Sequence, residues 1–377
     1  MKDKDDLNSI DDVRTSSERE PLFSHTSWLI NLPWWLQAVL VLVITFVKNG
    51  AGPSPNASRL IELAVNWQHP IKDAGLHGSA TYLLSSPTSA VVAGILGFTS
   101  ANQYFAFHCL LVICTIIGLF ALPRVRASPE IRGIVVILFL ASGVSSTLLS
   151  WIGSYDPVSV AAGGVGVLSK SAWIRTIAWA IFAFNNLPQA GLAFACYCLI
   201  AASRWNWRRF ATREWRCLLG LAFGAFAILS LESYWGSSIF SRLTYHNAVG
   251  FSNFVAPITH YFPLILFSGL GSGWLLLFHH HIRHERGVNA LVLLGVVMAV
   301  LVSLIALDES RTLTVVLFPS LMWFAVETCS TLPSGQVRAI VDDLLWPSIF
   351  LPVLLVWSGS IVYPGFASGI KFVHGLF

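Results

Sequence analysis

The chain has 377 residues, of which 55% are hydrophobic and only 11% are charged, and its mean hydropathy is +0.68. Soluble domains carry roughly 25% charged residues. This composition therefore excludes a soluble globular protein and predicts an all-α, polytopic integral membrane protein. The net charge of +4 is then explained by basic loops that orient the chain in the membrane, and we expect no nucleic-acid partner.

The N-terminal segment, residues 1–28, is polar and rich in acids, and it lacks an apolar core followed by a small-residue cleavage site. It is predicted to be a disordered cytoplasmic tail rather than a signal peptide. Residues 29–377 are predicted to form a single polytopic transmembrane domain. The cysteines lie in or beside apolar runs, so we expect neither a disulfide framework nor a zinc site.

Apolar runs of roughly 17–25 residues are long enough to cross a bilayer. About nine crossings are predicted by this criterion, near residues 29–47, 103–122, 133–151, 179–202, 217–234, 261–278, 288–307, 313–326 and 344–363. The apolar run at 90–98 is too short to cross.

Basic residues collect in three of the connecting loops, which contain Arg124, Arg126 and Arg132, then Arg204, Arg208, Arg209, Arg213 and Arg216, and then Arg283 and Arg286. Because two predicted spans separate each of these loops from the next, all three lie on one face together with the tail. The positive-inside rule places that face in the cytoplasm. The opposite face then receives loops 48–87, 152–171 and 235–260 and the bend at residue 308. The predicted setting is the bacterial inner membrane, with a cytoplasmic N-terminus.

Two outer segments are predicted to be helices that lie in the membrane interface. Segment 58–67 places Arg59 and Glu62 on one side of an otherwise apolar helix, although an ordinary packed surface helix fits equally well. Segment 165–181, which holds Lys170 and Arg175, is the second. The glycines at 163–166, where this segment starts, are interpreted as a flexible connector, because they lack the context of a dinucleotide-binding loop.

Isolated charged residues gather on the predicted outer face. Gly153-Ser154-Tyr155-Asp156-Pro157 directly follows one span, and Asp308-Glu309-Ser310-Arg311 occupies a bend between two others. A desolvated carboxylate can act as a general base, and the fork of an arginine suits a phosphate. The candidate catalytic residues are Asp156, Asp308 and Glu309. The candidate substrate-binding residues are Arg311, Arg242, His246, Glu232 and His260. A solvated turn at each motif is a comparably good interpretation.

Other polar signals are less specific. Asn185 and Asn186, which precede Pro188, predict a kinked helix that either lines a cavity or bonds its neighbours. The histidine tract 279–284 is better explained as a basic link to lipid headgroups than as a metal site. No metal ligands are assigned, and the cofactor is unknown, with a divalent metal requirement left open.

The two acidic motifs, each beside a span in an extracytoplasmic loop, resemble those of the polytopic glycosyltransferases of the C-type fold. The resemblance implies a polyprenyl-phosphate-linked sugar donor, a large cavity at the outer membrane boundary and an acid that acts as base. Membrane lipids and the lipid-linked donor are the implied partners. Such enzymes commonly carry an acid in the first outer loop, where this chain has only Glu62 and Asp73, so Asp156 is the preferred base.

Three rival functions use the same residues differently. A glycan polymerase or ligase would depend on the outer arginines and histidines more than on the carboxylates. A transporter or lipid flippase would need polar residues that continue to the inner face, and the sequence offers only Asn185 and Asn186 at mid-depth. A non-catalytic subunit of a membrane assembly is expected if side chains fill the outer cavity.

Overall fold

The computed structural model describes residues 27–76, 78–202, 207–237, 252–271, 274, 290–303, 309–357 and 360–376. This part of the chain is almost wholly helical, with one two-stranded sheet, so the predicted all-α class is confirmed. The predicted tail before residue 27 and the histidine tract at 279–284 lie outside the described residues.

The first half of the chain forms ten α-helices of 4 to 21 residues among the described residues. The helices are α1 (Ser27–Asn31), α2 (Trp34–Asn49), α3 (Ala57–Val65), α4 (Pro70–Asp73), α5 (Thr88–Ile95), α6 (Ala101–Ala121), α7 (Pro123–Arg126), α8 (Pro129–Ala141), α9 (Gly143–Ser150) and α10 (Asp156–Leu168). A 3-10 helix, Gly78–Ser85, lies between α4 and α5.

The second half contains the longest helix, Trp207–Tyr234, and the only sheet among the described residues. The helices are α11 (Ala172–Asn185), α12 (Leu187–Ala202), α13 (Trp207–Tyr234), α14 (Ser252–Leu270), α15 (Ala290–Ser303), α16 (Glu309–Cys329), α17 (Ser334–Phe350) and α18 (Gly365–His374). Strands β1 (Leu355–Trp357) and β2 (Ser360–Val362) pair antiparallel between α17 and α18.

Three described helical segments are long and apolar enough to cross a membrane: α6, Phe210–Tyr234 within α13, and Ser310–Cys329 within α16. Helices α8 and α9 pass the same test together as a pair bent by 58°. Helices α2, α10 and α12 are apolar but shorter. These helices indicate a membrane protein, and the number of about nine crossings stays a prediction.

Charged residues from distant parts of the chain meet at one end of the bundle, which we call the Arg124 end. Arg124 pairs with Glu327 near the end of α16, with 2.8 Å between nitrogen and oxygen. One turn earlier on α16, Trp323 packs on Tyr197 of α12, which packs in turn on Phe210 of α13. The basic segments before α8 and at the start of α13 therefore lie at the same end.

The opposite end of the bundle, which we call the Asp156 end, contains the start of α10. Here the Tyr104 hydroxyl donates to the carbonyl of Gly153, and the Asn185 amide donates to the carbonyl of Tyr155. Helix α10 runs from this end towards the Arg124 end, and α11 returns, because Asn185 at its last residue reaches Tyr155.

The predictions of an outer loop at 152–171 and of one span at 179–202 are both wrong. Residues 156–185 form the helical hairpin of α10 and α11, and α12 folds back on α11, so that Trp179 lies with its ring centroid 4.9 Å from that of Phe194. The break falls at Asn186, whose backbone is extended at φ −159° and ψ 90°. Pro188 follows and cannot donate a backbone hydrogen bond to the preceding turn. Over residues 156–202 the chain thus makes two more passes between the ends than the sequence predicted, which is an even number.

The glycines at 163–166 are not a flexible connector, because they lie inside α10 and face bulky neighbours. A Cβ atom added at Gly163 would lie 2.6 Å from Pro319, and one at Gly164 would lie 2.4 Å from Leu119. Small residues at such contacts let membrane helices approach closely. The predicted interfacial helix at 165–181 is also wrong, since this segment contains the turn between two packed helices.

The predicted span at 344–363 is wrong in its second half. Helix α17 starts ten residues earlier, at Ser334, and ends at Phe350. Pro352 follows, and the chain then pairs as β1 and β2. A proline without an N–H group ends the helix because it cannot bond to the carbonyl four residues before it.

The first outer segment forms a small packed layer of its own. Helix α3 is present as predicted and packs against α5 in a cluster that includes Leu60, Leu63 and Ala93. Arg59 and Glu62 lie on its exposed side. The contacts with α5 favour the interpretation as a packed surface helix.

The end of α2 meets the start of α18 at a contact that only glycine allows. Gly50 has φ +77°, and a Cβ atom there would lie 2.1 Å from the Gly365 carbonyl oxygen. We expect Gly50→Ala to lower the free energy of unfolding by about 1–3 kcal/mol, through backbone strain and overpacking. Denaturant titration of the detergent-purified chain measures this.

Gly52→Ala is the matched control, because its Cβ atom would lie at an ordinary 3.5 Å from Pro364. We expect a change within about 0.5 kcal/mol for this variant. Equal losses for Gly50→Ala and Gly52→Ala would contradict the assigned strain.

Candidate functional site

Two predicted motifs that lie far apart in the chain meet at the Asp156 end. Asp156 is the first residue of α10, and Arg311 lies in the first turn of α16. The Arg311 Nη1 atom is 3.4 Å from Asp156 Oδ2, and the two side chains are 6% and 0% exposed. The pair is therefore an ion pair removed from water, where Coulomb attraction is much stronger than at a surface.

Aromatic rings hold the guanidinium of Arg311 in place. Its carbon Cζ lies 4.3 Å from the ring centroid of Trp151 and 5.2 Å from that of Tyr155. Its Nη2 atom also donates to the Tyr155 hydroxyl at 2.9 Å. Desolvated cation–π contacts contribute about 2 kcal/mol, so these rings offset part of the cost of burying the charge.

The two oxygens of the Asp156 carboxylate have different surroundings. Oδ2 accepts from the Ser154 hydroxyl at 2.7 Å and from Arg311. Oδ1 is buried and has no hydrogen-bond partner among the described residues. A buried carboxylate oxygen is a strong acceptor, so Oδ1 can receive a hydrogen bond or a proton from a ligand hydroxyl.

Neighbouring elements position both motifs. The Asn185 amide donates to the Tyr155 carbonyl at 3.0 Å and to the Ser159 hydroxyl at 2.8 Å, which ties the end of α11 to the start of α10. Ser310 accepts from the Val356 backbone N–H at 2.6 Å and donates to the carbonyl of the same residue, which attaches β1 beside Arg311. The amide of Asn185 thus bonds neighbouring helices, one of the two roles that the sequence left open.

Lys48, at the end of α2, is half-buried at the same end in a structural role. Its ammonium donates to the carbonyls of Leu140 and Ser348 at 2.6 and 2.7 Å. The Ser348 carbonyl lacks a helical donor because the residue four positions later is Pro352. Cations are stabilised at helix C-termini, so Lys48 joins the ends of α8 and α17.

The structure shows only some of the other predicted site residues. Glu232 is buried near the end of α13, beside Leu231 and Trp235, which pack into the α3–α5 cluster. His260 is exposed on α14. The remaining candidates are Asp308, the side chain of Glu309, Arg242 and His246, and they lie outside the described residues. Within the described part of the chain, no group of three or more metal-binding side chains is present.

The tertiary structure adds Trp151 and Tyr155 to the site, which the sequence analysis did not nominate. Both shortly precede Asp156 in the chain, and the signal available was the preference of arginine for stacking on aromatic rings. The acids of the first outer loop, Glu62 and Asp73, are exposed on the packed layer formed by α3 to α5.

A groove runs along the outside of α10. It has a volume of about 480 Å³, lies between α6, α10 and α11, and is lined almost entirely by apolar atoms. Its lining begins at Pro157, next to Asp156, and continues past Ala161 to Val165. Over this stretch α10 rises about 12 Å at roughly 1.5 Å per residue. The groove fits a hydrocarbon chain better than a polar ligand.

A second buried ion pair lies at the Arg124 end and provides a comparison. Arg175 Nη1 lies 3.2 Å from Glu214 Oε1, and both side chains are 2% exposed. Arg213 also contacts Glu214, at 3.4 Å, and the Cys217 thiol donates to the other oxygen of Glu214. Oε1 of Glu214 thus lies beside two arginines, although, like Oδ1 of Asp156, it has no hydrogen-bond partner among the described residues.

Comparisons of the chain with protein-family models, with curated proteins and with solved structures found no match.

Proposed function

We propose that the chain is a membrane glycosyltransferase that moves a sugar from a polyprenyl-phosphate-type carrier to an acceptor at the Asp156 end. The observation that carries the proposal is the meeting of Asp156 and Arg311, with Oδ1 of the carboxylate buried and without a hydrogen-bond partner among the described residues. The resemblance of both motifs to those of C-type-fold enzymes supports the same chemistry.

In this reaction Asp156 acts as the general base. Its Oδ1 takes the proton of the acceptor hydroxyl, and the acceptor oxygen forms a bond to the anomeric carbon of the sugar. The bond between that carbon and the phosphate oxygen breaks, and the electron pair leaves with the polyprenyl phosphate. Arg311 supplies positive charge near the departing phosphate. Asp308 and Glu309 are proposed as further acids, and Glu232, Arg242, His246 and His260 as substrate contacts.

The proposed orientation places the Arg124 end in the cytoplasm and the Asp156 end outside, in the bacterial inner membrane. It rests on the arginines that gather at the Arg124 end. The extra passes of α10 and α11 raise the proposed number of crossings above nine without reversing the sides. Nucleotide sugars are made inside the cell, so a transferase that faces outward requires a lipid-borne donor.

The direct test reconstitutes the full chain into vesicles of phosphatidylethanolamine and phosphatidylglycerol. A panel of polyprenyl-phosphate hexoses with radiolabelled sugars serves as donor, and an envelope extract serves as acceptor. We expect one donor to lose its label to the acceptor only when the chain is present. Failure with every donor, together with an unchanged surface glycan in cells that lack the protein, would remove the proposal.

The groove beside Asp156 provides a second test of the lipid-borne donor. Ala161 lines the groove and is only partly buried, so Ala161→Phe fills it without changing charge. We expect a tenfold or greater rise in the apparent KM for the donor, which corresponds to about 1.4 kcal/mol or more. Steady-state rates across donor concentrations measure this.

Ala222→Phe is the matched control for that substitution. Ala222 is an exposed residue of α13 that does not line this groove. We expect its donor KM to match that of the wild-type chain, and equal effects of the two variants would show that the groove does not bind the donor.

A non-catalytic subunit is the second candidate, and the burial of the ion pair favours it. Side chains that are 6% and 0% exposed could simply join α10 to α16. This function predicts that neutralising both charges together preserves the biological role, whereas a transferase would lose it.

A further inference from the structure

A second apolar groove, with a volume of about 490 Å³, lies between α11 and α13. The groove forms because two glycines of α13 allow the backbones of α11 and α13 to approach closely. A Cβ atom at Gly220 or Gly224 would lie 2.2 Å from a carbonyl oxygen of α11, that of Thr176 or of Ala180. With the backbones so close, the large side chains on either side form the walls of the groove.

The groove has a cation at the end where α11 begins. The Arg216 guanidinium lies 5.8 Å from the ring centroid of Trp173 and 5.5 Å from that of Trp215. All three side chains line the groove and are exposed. Tryptophan and arginine are typical of the headgroup level of a membrane, so this end of the groove has the character of a membrane interface.

Arg216 differs from the neighbouring arginines in how its charge is paired. Arg124, Arg175 and Arg213 each pair with a carboxylate at the same end of the bundle. Within the part of the chain that the structure describes, no salt bridge to a carboxylate is found for Arg216. Its positive charge is therefore available to an anion that approaches from the mouth of the groove.

The length of the groove fits one leaflet. From Arg216 to Ala227 at its far end, α13 rises about 16 Å at roughly 1.5 Å per residue. This is about half of a hydrocarbon core of about 30 Å. We propose that the groove binds an anionic glycerophospholipid, with its phosphate on Arg216 between the two indoles and an acyl chain along α11 and α13. Basic pockets between membrane helices bind anionic headgroups by the same chemistry.

Native mass spectrometry of the detergent-purified full chain tests this site. The probes are phosphatidylglycerol and phosphatidylcholine with identical acyl chains, added at equal concentration. We expect the wild-type chain to retain phosphatidylglycerol preferentially. Arg216→Gln should lower the affinity for phosphatidylglycerol about fivefold, the effect of about one charge near a membrane surface. Arg126→Gln removes an exposed charge at the same end, outside the groove, and should change nothing.

A pair of uncharged variants tests the acyl-chain part of the site. Ala227→Phe fills the far end of the groove and should weaken both lipids, whereas the exposed Ala222→Phe on the same helix should weaken neither. Each variant is compared only if its thermal unfolding midpoint matches that of the wild-type chain, and Trp173→Leu replaces any variant that unfolds. Equal binding of the two lipids, or equal loss in Arg216→Gln and Arg126→Gln, would overturn the proposal.

Discussion

Asp156→Asn is expected to lower sugar transfer by a factor of about 10²–10⁴, the range that a positioned general base contributes. The amide oxygen of asparagine can still accept from Ser154 and Arg311, so the surrounding contacts persist. The amide cannot take a proton from the acceptor hydroxyl, which is the role proposed for Oδ1. The measurement is the rate at which labelled sugar leaves the lipid carrier in reconstituted vesicles.

Glu214→Gln is the matched control for this loss. It also neutralises a buried carboxylate that pairs with an arginine, but at the Arg124 end of the bundle. We expect its rate of transfer, per folded molecule, to stay within about twofold of the wild-type rate, because a pair remote from the substrate contributes only to folding. A rate for Asp156→Asn that is as high as that of Glu214→Gln would exclude Asp156 as the base.

Arg311→Met is expected to lower the free energy of unfolding by about 3–5 kcal/mol, because it leaves the buried Asp156 without its arginine. The methionine side chain fills much of the volume, so a cavity contributes little to this loss. The contacts of the cation with Trp151 and Tyr155 disappear as well. Denaturant titration in detergent measures the effect.

Two further variants separate charge from packing. Arg175→Met should cost less than Arg311→Met, because Arg213 still contacts Glu214 at 3.4 Å. The double variant Asp156→Asn/Arg311→Met removes both charges and should recover at least half of the stability lost in Arg311→Met. We expect it to recover no transfer. Recovery of the biological role along with stability would favour the non-catalytic subunit.

The sequence predicted the membrane class and most single helices because each depends on local composition. The apolar run at 103–122 became α6, the run at 217–234 became part of α13, and the run at 313–326 became part of α16. In a hydrocarbon environment every backbone polar group of a single segment must form its hydrogen bond within that segment, so a long apolar run forms a helix.

The errors occurred where partners from other segments decide the structure. Segment 152–171 contains several small residues and one acid, which resembles an outer loop when it is considered alone. It forms a buried helix because Gly163 and Gly164 allow Pro319 and Leu119 to pack against it. Likewise, Arg175 resembled an interfacial charge, and it is buried because Glu214 from α13 pairs with it.

The candidate site likewise has features that the sequence predicted and features that only the tertiary structure decided. Its motifs could be recognised in the sequence, since a lone acid or arginine beside an apolar run is costly unless it is solvated or paired. The amino-acid sequence thus decided that this protein is a helical membrane protein with two conspicuous charged motifs. Only the tertiary structure decided that Asp156 pairs with Arg311, that Trp151 and Tyr155 contact the cation, and that one carboxylate oxygen has no hydrogen-bond partner among the described residues. These contacts join α10 to α16, two helices whose mutual approach depends on close packing that a linear pattern of hydropathy does not encode.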